Sequence, residues 1–381
     1  MRVLHIFKWY GEQCPGGTQK VMEQLITATT PLGVQNSVLC LSDGRQAPGE
    51  LRGSHGETVR YCAPTCAYDS LSFSLEMFRR FPGLAAEHDL IHYHFPFPQQ
   101  DLMHLRWAPA RASVVSYHSD VVRQRLLYHF YRPLMDTFLS RMDALVAASP
   151  QYLATSPVLR KFKKKSLVIP YGLDESTYPE IDEKNMESWR GRVGSNFFLF
   201  LGVLRYYKGL HFLLRAAAGA RQCRVVIAGS GPLEGELQRQ ATELGLNNVH
   251  FVGAVSERDK VSLLRLSRAL VFPSHLRSEA FGISLLEGAM FSRPLISAEI
   301  GTGTTYVNQH RETGLVVPPA DSEALREAME TLERDPELAA HYGRQARQRY
   351  QEHFTAQRCG LNYHALYNVT IQQHPILRRS G

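Results

Sequence analysis

The order in which short apolar runs and helical stretches follow one another constrains this chain more than any other feature. From residues 3–7 onward, runs typical of buried strands alternate with stretches of helical periodicity such as 18–30. After residue 195 the alternation starts again, with a strand-like run over 197–201. Strands that alternate with helices pair in parallel, with the helices covering the sheet. The sequence therefore predicts an α/β protein of two Rossmann-like, doubly wound domains in series.

The length of the chain supports this division. It has 381 residues, more than one hydrophobic core usually organises. We expect a first domain over residues 1–175 and a second over 176–356, with the polar stretch 174–195 acting as a linker. Ligands of such sheets bind outside the carboxyl ends of the strands. The two domains are therefore expected to face a central cleft that holds the ligand.

The composition excludes several classes of protein. The chain is 44% hydrophobic and 21% charged, as expected of a folded globular protein. Its longest apolar candidate, residues 197–204, is far shorter than the roughly 18 residues of a membrane span. The start of the chain lacks the long apolar region of a signal peptide. The six cysteines are scattered, and Cys62 and Cys66 have no second pair to complete a zinc site. We expect a cytoplasmic protein with reduced thiols.

The positive charge is concentrated in one segment. The net charge of the chain is +7, and residues 121–165 hold nine basic residues against Asp136 and Asp143. Beside aromatic residues, such a cluster can hold a protein on an anionic membrane surface, at about 1 kcal/mol for each Lys or Arg near the headgroups. A solvated face explains the same charges equally well. A nucleic-acid-binding protein is a third reading, and it requires salt-dependent affinity for RNA or DNA.

Two glutamates flank the start of a predicted helix in the second domain. Glu279 follows a strand-like run over 270–273, and Glu287 lies inside a helix predicted over 283–291. Three amides at the start of this helix suit an anion, those of Gly282, Ile283 and Ser284. Carboxylates bind vicinal hydroxyls, so one glutamate can hold a sugar and the other a ribose. Alternatively, Glu279 only complements the helix dipole and Glu287 lies on the surface.

Cations and glycines follow two other strands. Arg205 and Lys208 come after the strand over 197–201, where they can neutralise a diphosphate leaving group or be ordinary surface cations. Gly16 and Gly17 follow the first strand, where the missing Cβ atoms let the backbone approach a phosphate or a sugar. A flexible turn explains this glycine pair equally well.

A third pair of glycines, Gly229 and Gly231, looks at first like a dinucleotide fingerprint. It lacks the third glycine, and a proline stands where the helix begins. The fingerprint also belongs at the first strand of a domain. A dehydrogenase is therefore disfavoured.

Histidines recur at the ends of strands in the first domain. His92 and His94 alternate along one strand, so both imidazoles point to the same face. We find no third ligand at a suitable spacing, so a polar rim of the cleft is favoured over a metal site. His118 ends the next strand, where it can contact a sugar hydroxyl or satisfy its own neighbours.

Taken together, these features resemble the retaining GT-B glycosyltransferases of family 4. The likeness spans nearly the whole chain and is most specific in the Glu-x7-Glu stretch from Glu279 to Glu287. Supporting stretches are 203–209, 229–232, 251–253 and 312–319. One departure is Val203, where many members have Arg, and Arg205 is the candidate substitute. The resemblance also implies that a last helix, around 357–372 of the terminal stretch 357–381, packs back on the first domain.

The resemblance implies roles for the residues of the site. Glu279 would bind the transferred sugar, and Glu287 the ribose of the nucleotide. Lys208, together with Arg205, would bind the diphosphate, and His118 the sugar. The remaining donor-binding residues would be Gly16, Gly17, Phe281, Gly282, Ile283, Ser284, Gly253 and Val255. It implies no metal and no cofactor beyond the nucleotide-sugar donor, so His92 and His94 are not expected to hold an ion.

The expected reaction is transfer of a hexose with retention, in which the departing phosphate accepts the proton of the acceptor hydroxyl. The motifs are similar to those of bacterial enzymes that add mannose or its deoxy relatives to lipid-linked polysaccharide. That likeness implies GDP-mannose or GDP-rhamnose as donor, with a polyprenyl-diphosphate glycan acceptor of lipopolysaccharide O-chains. The segment 121–165 would dock the enzyme, as a peripheral protein, on the inner face of the cytoplasmic membrane, without nucleic acid as partner. A UDP-sugar enzyme of the same fold and a sugar epimerase of the same architecture stay as rivals.

Overall fold

The chain folds into two compact units of parallel α/β structure. The computed structural model describes residues 1–11, 16–42, 47–68, 71–107, 110–121 and 125–374. The N-terminal unit comprises residues 1–172 and 356–381, and the C-terminal unit residues 173–355. Arg123 of the basic segment and residues 375–381 of the terminal stretch lie outside the described residues. Because each unit contains a parallel sheet flanked by helices, the predicted Rossmann-like architecture is confirmed.

The N-terminal unit is built on an eight-stranded sheet. The strands of this unit are β1 (Arg2–Ile6), β2 (Gln35–Leu41), β3 (Gly49–Arg52), β4 (Thr58–Cys62), β5 (Cys66–Tyr68), β6 (Leu71–Phe73), β7 (Leu90–Phe95), β8 (Ala112–Tyr117), β9 (Ala144–Ala147) and β10 (Ser166–Val168). The sheet order is β10-β9-β8-β7-β1-β2-β4-β3, parallel except for β3, while β5 and β6 pair separately. The helices are α1 (Gly17–Thr29), α2 (Leu75–Glu87), α3 (Pro98–Trp107), α4 (Arg125–Arg141), α5 (Pro150–Thr155) and α6 (Pro157–Lys161).

The C-terminal unit is built on a six-stranded sheet that is parallel throughout. Its strands are β11 (Phe197–Leu201), β12 (Val225–Ala228), β13 (Val249–Gly253), β14 (Ser267–Phe272), β15 (Leu295–Ala298) and β16 (Gly314–Val317). The helices are α7 (Glu183–Val193), α8 (Leu210–Gly219), α9 (Glu234–Glu243), α10 (Glu257–Leu266), α11 (Ile283–Met290), α12 (Thr304–Val307), α13 (Ser322–Arg334) and α14 (Pro336–His353). The order β13-β12-β11-β14-β15-β16 is that of a Rossmann fold, and the strand order reverses between β11 and β14, the switch point of the sheet.

The inner strands of both sheets are apolar on both faces. Every residue of β7, β8 and β11 is buried, as expected of parallel strands that helices cover on both sides. The helices contribute an apolar stripe at helical spacing, and α13 buries Leu325, Met329 and Leu332 against the sheet of its own unit. A capping box begins α10, since Ser256 and Asp259 exchange both hydrogen bonds.

The last helix, α15 (Ala356–Gln373), belongs to the N-terminal unit. It passes so close to α1 that a Cβ atom on Gly360 would lie 2.7 Å from the Cβ atom of Ala28. Its Tyr363 and Tyr367 are buried in the same cluster as Val3 of β1. The chain therefore returns to its first unit at its end, where the family resemblance implied a last helix.

The prediction that residues 174–195 form a linker is wrong for the part that forms α7. Asp182 caps this helix by accepting hydrogen bonds from the amides of Lys184 and Asn185. Trp189 is buried, and its Nε1 donates to Asp259 Oδ1 at 2.8 Å. Since the helix buries only Trp189 and Val193, its apolar pattern is too sparse to be recognised in the sequence.

Candidate functional site

An ion pair lies at the carboxyl ends of β11 and β14. The loop after β11 carries Lys208 and the loop after β14 carries Glu279, and Nζ of the lysine lies 2.5 Å from Oε2 of the glutamate. Only 12% of either side chain is exposed. Because the strand order reverses between these two strands, their carboxyl ends form the crevice where Rossmann-like sheets bind ligands. The structure thus brings together two residues that the sequence singled out separately.

The two loops that carry this ion pair are in direct backbone contact. Gly209 has a left-handed φ of 71°, and a Cβ atom there would lie 2.0 Å from the carbonyl oxygen of Pro273. The amide of His275 donates to the carbonyl of Tyr207 at 3.0 Å. Glycine after Lys208 is therefore required for the loop after β11 to approach the loop that leads to Glu279.

The start of α11 follows Glu279 directly. Gly282 precedes the helix with a left-handed φ of 92°, and no side chain caps the helix. Phe281 is buried, and the Ser284 hydroxyl donates to the carbonyl of Leu201 at 2.9 Å. Ser284 thereby ties α11 to the end of β11. An uncapped helix N-terminus beside a carboxylate and a lysine is a suitable site for an anionic group.

Glu287 is buried, so the alternative that it lies on the surface is wrong. Only 5% of the residue is exposed. Its Oε1 accepts a hydrogen bond from the Tyr178 hydroxyl at 3.0 Å and lies 2.8 Å from Nζ of Lys260. Burial disfavours the charge of Lys260, but Glu287 and Glu257 outweigh it and raise the pKa of the lysine. Sequence reasoning missed Tyr178 and Lys260, because no local spacing links them to Glu287.

Three other predicted site residues of this unit, Arg205, Gly253 and Val255, take no part in the ion pairs of Glu279 and Glu287. Arg205 is exposed, and its carbonyl accepts the amide of Lys208 at 3.0 Å. Gly253 ends β13, and its carbonyl accepts the amide of Gly229 at 2.7 Å. Val255 is half-buried just before α10. Lys208, and not Arg205, is therefore the cation that the structure places against Glu279.

The glycines that resembled a dinucleotide fingerprint have a packing role. A Cβ atom on Gly229 would lie 2.0 Å from the carbonyl oxygen of Gly202. One on Gly231 would lie 2.6 Å from the amide nitrogen of Leu204. The loop after β12 therefore contacts the loop after β11 through its backbone, which only glycine allows.

In the N-terminal unit, the expected glycine pair lies at the start of α1. Gly16 precedes the helix and Gly17 begins it, both are exposed, and none of the described side chains caps the helix. His118 is buried after β8, and both of its ring nitrogens have partners. Its Nε2 lies 2.9 Å from His94 Nδ1, and its Nδ1 lies 2.6 Å from the Tyr171 hydroxyl.

His92 and His94 do not form a polar rim, because both are fully buried. A third imidazole, which spacing along the sequence does not show, is that of His5 on β1, opposite His92 in the sheet register. One nitrogen from each of these three rings lies within 4.8 Å of the others. All six ring nitrogens already have hydrogen-bond partners in the protein. Those of His92 are the hydroxyls of Tyr367 and Ser116, at 2.7 Å each. The cluster is thus a hydrogen-bonded network rather than an open set of metal ligands.

The basic segment is partly paired within the protein. Lys161 lies 2.8 Å from Asp136, and Lys165 Nζ donates to the carbonyls of Ser140 and Met142 at the end of α4. Phe130 of α4 is 84% exposed. Within the described part of the chain, no helix is long and apolar enough to cross a membrane.

Comparisons with known proteins agree with this fold. Residues 15–177 match the model Glycosyltransferase Family 4, and residues 181–349 match Glycosyl transferases group 1. The D-rhamnosyltransferase WbpZ of Pseudomonas aeruginosa is 52% identical over 93% of each chain. The O-antigen chain mannosyltransferase C of Escherichia coli is 45% identical over 98% of this chain and 99% of its own. The structure of HepE from Anabaena with UDP and glucose shares the fold, with a TM-score of 0.78, 18% identity, and coverage of 96% of this chain and 99% of that one.

Two Rossmann-like units, each matched by a glycosyltransferase model, define an enzyme of the GT-B class that transfers sugars. The chain belongs to glycosyltransferase family 4, as the Glu-x7-Glu stretch indicated.

Proposed function

We propose that this glycosyltransferase moves mannose or rhamnose from a GDP-sugar to a polyprenyl-diphosphate-linked glycan in O-chain synthesis, with retention of anomeric configuration. The observation that carries the proposal is the ion pair between Lys208 and Glu279 at the switch point of the C-terminal unit. The printed functions of the two relatives, a D-rhamnosyltransferase and an O-antigen chain mannosyltransferase, support this choice of sugar and polymer.

The ion pair has the chemistry that a nucleotide-sugar requires. A diphosphate leaving group gains charge as the glycosidic bond breaks, and preorganised cations and amides that stabilise such charge usually supply the largest catalytic effect. Lys208 and the N-terminus of α11 would meet the diphosphate. As its oxygens replace Glu279 beside the lysine, the Glu279 carboxylate becomes able to accept hydrogen bonds from the sugar hydroxyls. The arrangement needs no metal, because Lys208 and the helix amides provide the positive charge.

Glu287 would bind the ribose through the carboxylate oxygen that Tyr178 and Lys260 do not occupy. Both of these residues contact Oε1, and they hold the carboxylate in one orientation. Oε2 would then accept a ribose hydroxyl. A fixed carboxylate loses little conformational entropy when the nucleotide binds, which favours affinity.

The decisive experiment is a transfer assay with a panel of donors. The enzyme is incubated with a polyprenyl-diphosphate-linked glycan and one of four donors, GDP-mannose, GDP-rhamnose, UDP-glucose or ADP-glucose. The mass of the lipid product is then measured by mass spectrometry. We expect a product that is one hexose or deoxyhexose heavier with a GDP-sugar. Transfer from UDP-glucose alone would contradict the proposed donor. A new sugar nucleotide formed without acceptor would indicate an epimerase.

A pair of matched variants tests the site itself. Glu279→Gln removes the charge that faces Lys208. Glu333→Gln removes a carboxylate whose Oε2 lies 2.8 Å from Nε of Arg268, at the amino end of β14. We expect Glu279→Gln to lower turnover by roughly 100-fold or more and Glu333→Gln to leave it nearly unchanged. Full turnover of a folded Glu279→Gln enzyme would overturn the assignment.

We propose further that the segment 121–165 docks the enzyme on the anionic inner face of the cytoplasmic membrane. Phe130 is the most exposed large apolar side chain in the described part of the protein, and Arg132 follows two residues later on α4. An exposed aromatic ring beside cations suits the headgroup region of an anionic bilayer.

Vesicle binding tests this docking. Vesicles with phosphatidylglycerol should bind the wild type more tightly at low salt than vesicles of phosphatidylcholine alone. Phe130→Ser should weaken that binding, whereas Leu361→Ser, which removes an exposed leucine of α15, should not. Equal effects of the two substitutions would contradict docking through this segment.

A further inference from the structure

A chain of hydrogen bonds crosses the core of the N-terminal unit and reaches His118. It joins five residues in the order Tyr171, His118, His94, His5 and Asn36. The successive distances are 2.6 Å, 2.9 Å, 3.2 Å and 3.0 Å. Each of the five side chains is buried. These hydrogen bonds therefore link His118, the residue expected to contact the sugar, to an amide on β2, three strands away in the sheet.

Asn36 determines the direction of every hydrogen bond in this chain. Its Nδ2 lies 3.4 Å from the carbonyl of Val34, which can only accept, and also donates toward Thr29 and Thr30. The amide oxygen Oδ1 therefore faces Nε2 of His5 at 3.0 Å. Since this oxygen can only accept, Nε2 of His5 must carry the proton.

The remaining directions follow because the histidines are neutral. Burial lowers the pKa of His5 to about 4 and that of His118 to about 3, and it also lowers the pKa of His94. A neutral imidazole has one N–H donor and one acceptor. With its proton on Nε2, His5 accepts at Nδ1 from His94 Nε2–H. By the same step, His94 accepts at Nδ1 from His118 Nε2–H, and His118 accepts at Nδ1 from the hydroxyl of Tyr171.

We infer that Asn36, His5 and His94 are positioning residues that hold His118 as the Nε2–H tautomer, so that its Nδ1 accepts a hydrogen bond from a hydroxyl. In this structure the hydroxyl belongs to Tyr171. In the transfer reaction it is a hydroxyl of the donor sugar, which takes the place of Tyr171 and donates to His118. The reaction part of this inference rests on the proposed function, whereas the tautomer does not.

The buried histidines His5 and His94 thereby have a role beyond packing. A histidine with only water for a partner exchanges between its two tautomers, and one of them presents an N–H where the sugar needs an acceptor. His94 removes that freedom by accepting only from Nε2 of His118. The control position is His92, which is as buried as His94 and lies on the same strand. Its ring nitrogens bond to Tyr367 and Ser116, which are not among the five hydrogen-bonded residues.

The test combines a spectroscopic and a kinetic measurement on the full-length enzyme. Ring-¹⁵N spectra of histidine-labelled protein near neutral pH distinguish the two neutral tautomers of His118, whose signals are assigned by their loss in His118→Asn. We expect the Nε2–H tautomer alone in the wild type and in His92→Phe. In His94→Phe and Asn36→Leu the signal should change to a mixture of tautomers.

The kinetic measurement should separate the same variants. His94→Phe should lower kcat/KM for the sugar donor by about tenfold, the effect of a lost hydrogen bond to the sugar, while His92→Phe should not. A wild-type His118 with its proton on Nδ1, or equal effects of the two phenylalanine substitutions on the His118 signals, would overturn the inference. If His94→Phe does not fold, the wild-type spectrum and Asn36→Leu still decide it. Absence of transfer from every donor, with the Nε2–H tautomer present, would refute the proposed function and leave the tautomer assignment intact.

Discussion

The two units differ in the polar clusters that surround their predicted site residues. The N-terminal unit joins His5, His94 and His118 in a chain of neutral hydrogen bonds. The C-terminal unit instead pairs Lys208 with Glu279 and Lys260 with Glu287, at side-chain exposures between 7% and 16%. Both units are parallel α/β structures of similar size, so the difference does not follow from the fold.

This difference indicates what each unit offers to a ligand. Buried charges are costly to desolvate, so a buried ion pair at the carboxyl ends of strands is a candidate ligand site. Under the proposed function, Lys208 of the C-terminal unit would supply a cation for a diphosphate. The neutral histidines of the N-terminal unit supply direction instead, because each imidazole has one donor and one acceptor. A nucleotide diphosphate needs a charge, and a sugar hydroxyl needs an oriented partner.

The largest effect should come from removing the cation at the switch point. Lys208→Met should lower kcat/KM for the donor by roughly 100- to 1,000-fold, because the charge of the leaving group loses its stabilising partner. Steady-state kinetics with the best donor measure this change. Arg268→Met breaks an ion pair elsewhere in the same unit and should have little effect on transfer. If both variants lost activity equally, the special role of Lys208 would be disproved.

The next effect concerns the stability of the C-terminal unit. Lys260→Met leaves the buried Glu287 without its cation and should lower the free energy of unfolding by about 3 kcal/mol. Urea denaturation measures this loss. The control is Lys161→Met, which breaks a pair of the same 2.8 Å length in which the lysine is 52% exposed, and it should cost less than about 1 kcal/mol. A double variant with Glu287→Gln should recover much of the loss.

Acid should destabilise the N-terminal unit before the C-terminal unit. The folded-state pKa values of His5 and His118, about 4 and about 3, lie below the unfolded value of about 6.5. As the pH falls below 6.5, these histidines become protonated in the unfolded chain but stay neutral in the folded unit. The free energy of unfolding therefore declines until the pH reaches the folded-state pKa. Each of these two histidines should cost about 2 kcal/mol at pH 5.

Hydrogen exchange followed by peptide mass spectrometry can test this order of unfolding. Peptides from β7 and β8 should lose protection between pH 6.5 and 5 before peptides from β11 and β14. The C-terminal unit contains His211, His250 and His275, whose pKa values burial also lowers, but these residues are only partly buried and should contribute less. Simultaneous loss of protection in both units would contradict the expected difference in acid sensitivity between them.

The smallest effect should come from one neutral hydrogen bond. Tyr363→Phe removes the hydroxyl that lies 2.7 Å from Ser116 Oγ, while Ser116 keeps its bond to His92. We expect the free energy of unfolding to fall by about 1 kcal/mol, well below the effect of Lys260→Met. Urea denaturation of the two variants under the same conditions makes the comparison. A larger loss from Tyr363→Phe would show that the neutral network is as sensitive as the ion pairs.

Much of this protein could be predicted from neighbouring residues alone. The alternation of strands and helices, the capping box at Ser256 and the position of Glu279 between a strand and a helix are local patterns, and the structure contains all three. The Rossmann order then places Lys208 beside Glu279, since the ends of the first and fourth strands of such a sheet are neighbours. The fold class and the centre of the site were predictable for this reason.

The remaining features depend on contacts between distant segments. His5 joins His94 only because β1 lies next to β7, and Lys260 reaches Glu287 only because α10 and α11 meet beside Tyr178. No spacing along the chain encodes these pairs, because strand order, register and helix packing bring them together. For the same reason, His92 and His94 were expected at a polar rim and proved to be buried. Local patterns thus define where the chain forms strands, helices and their ends, whereas packing decides which polar groups become partners.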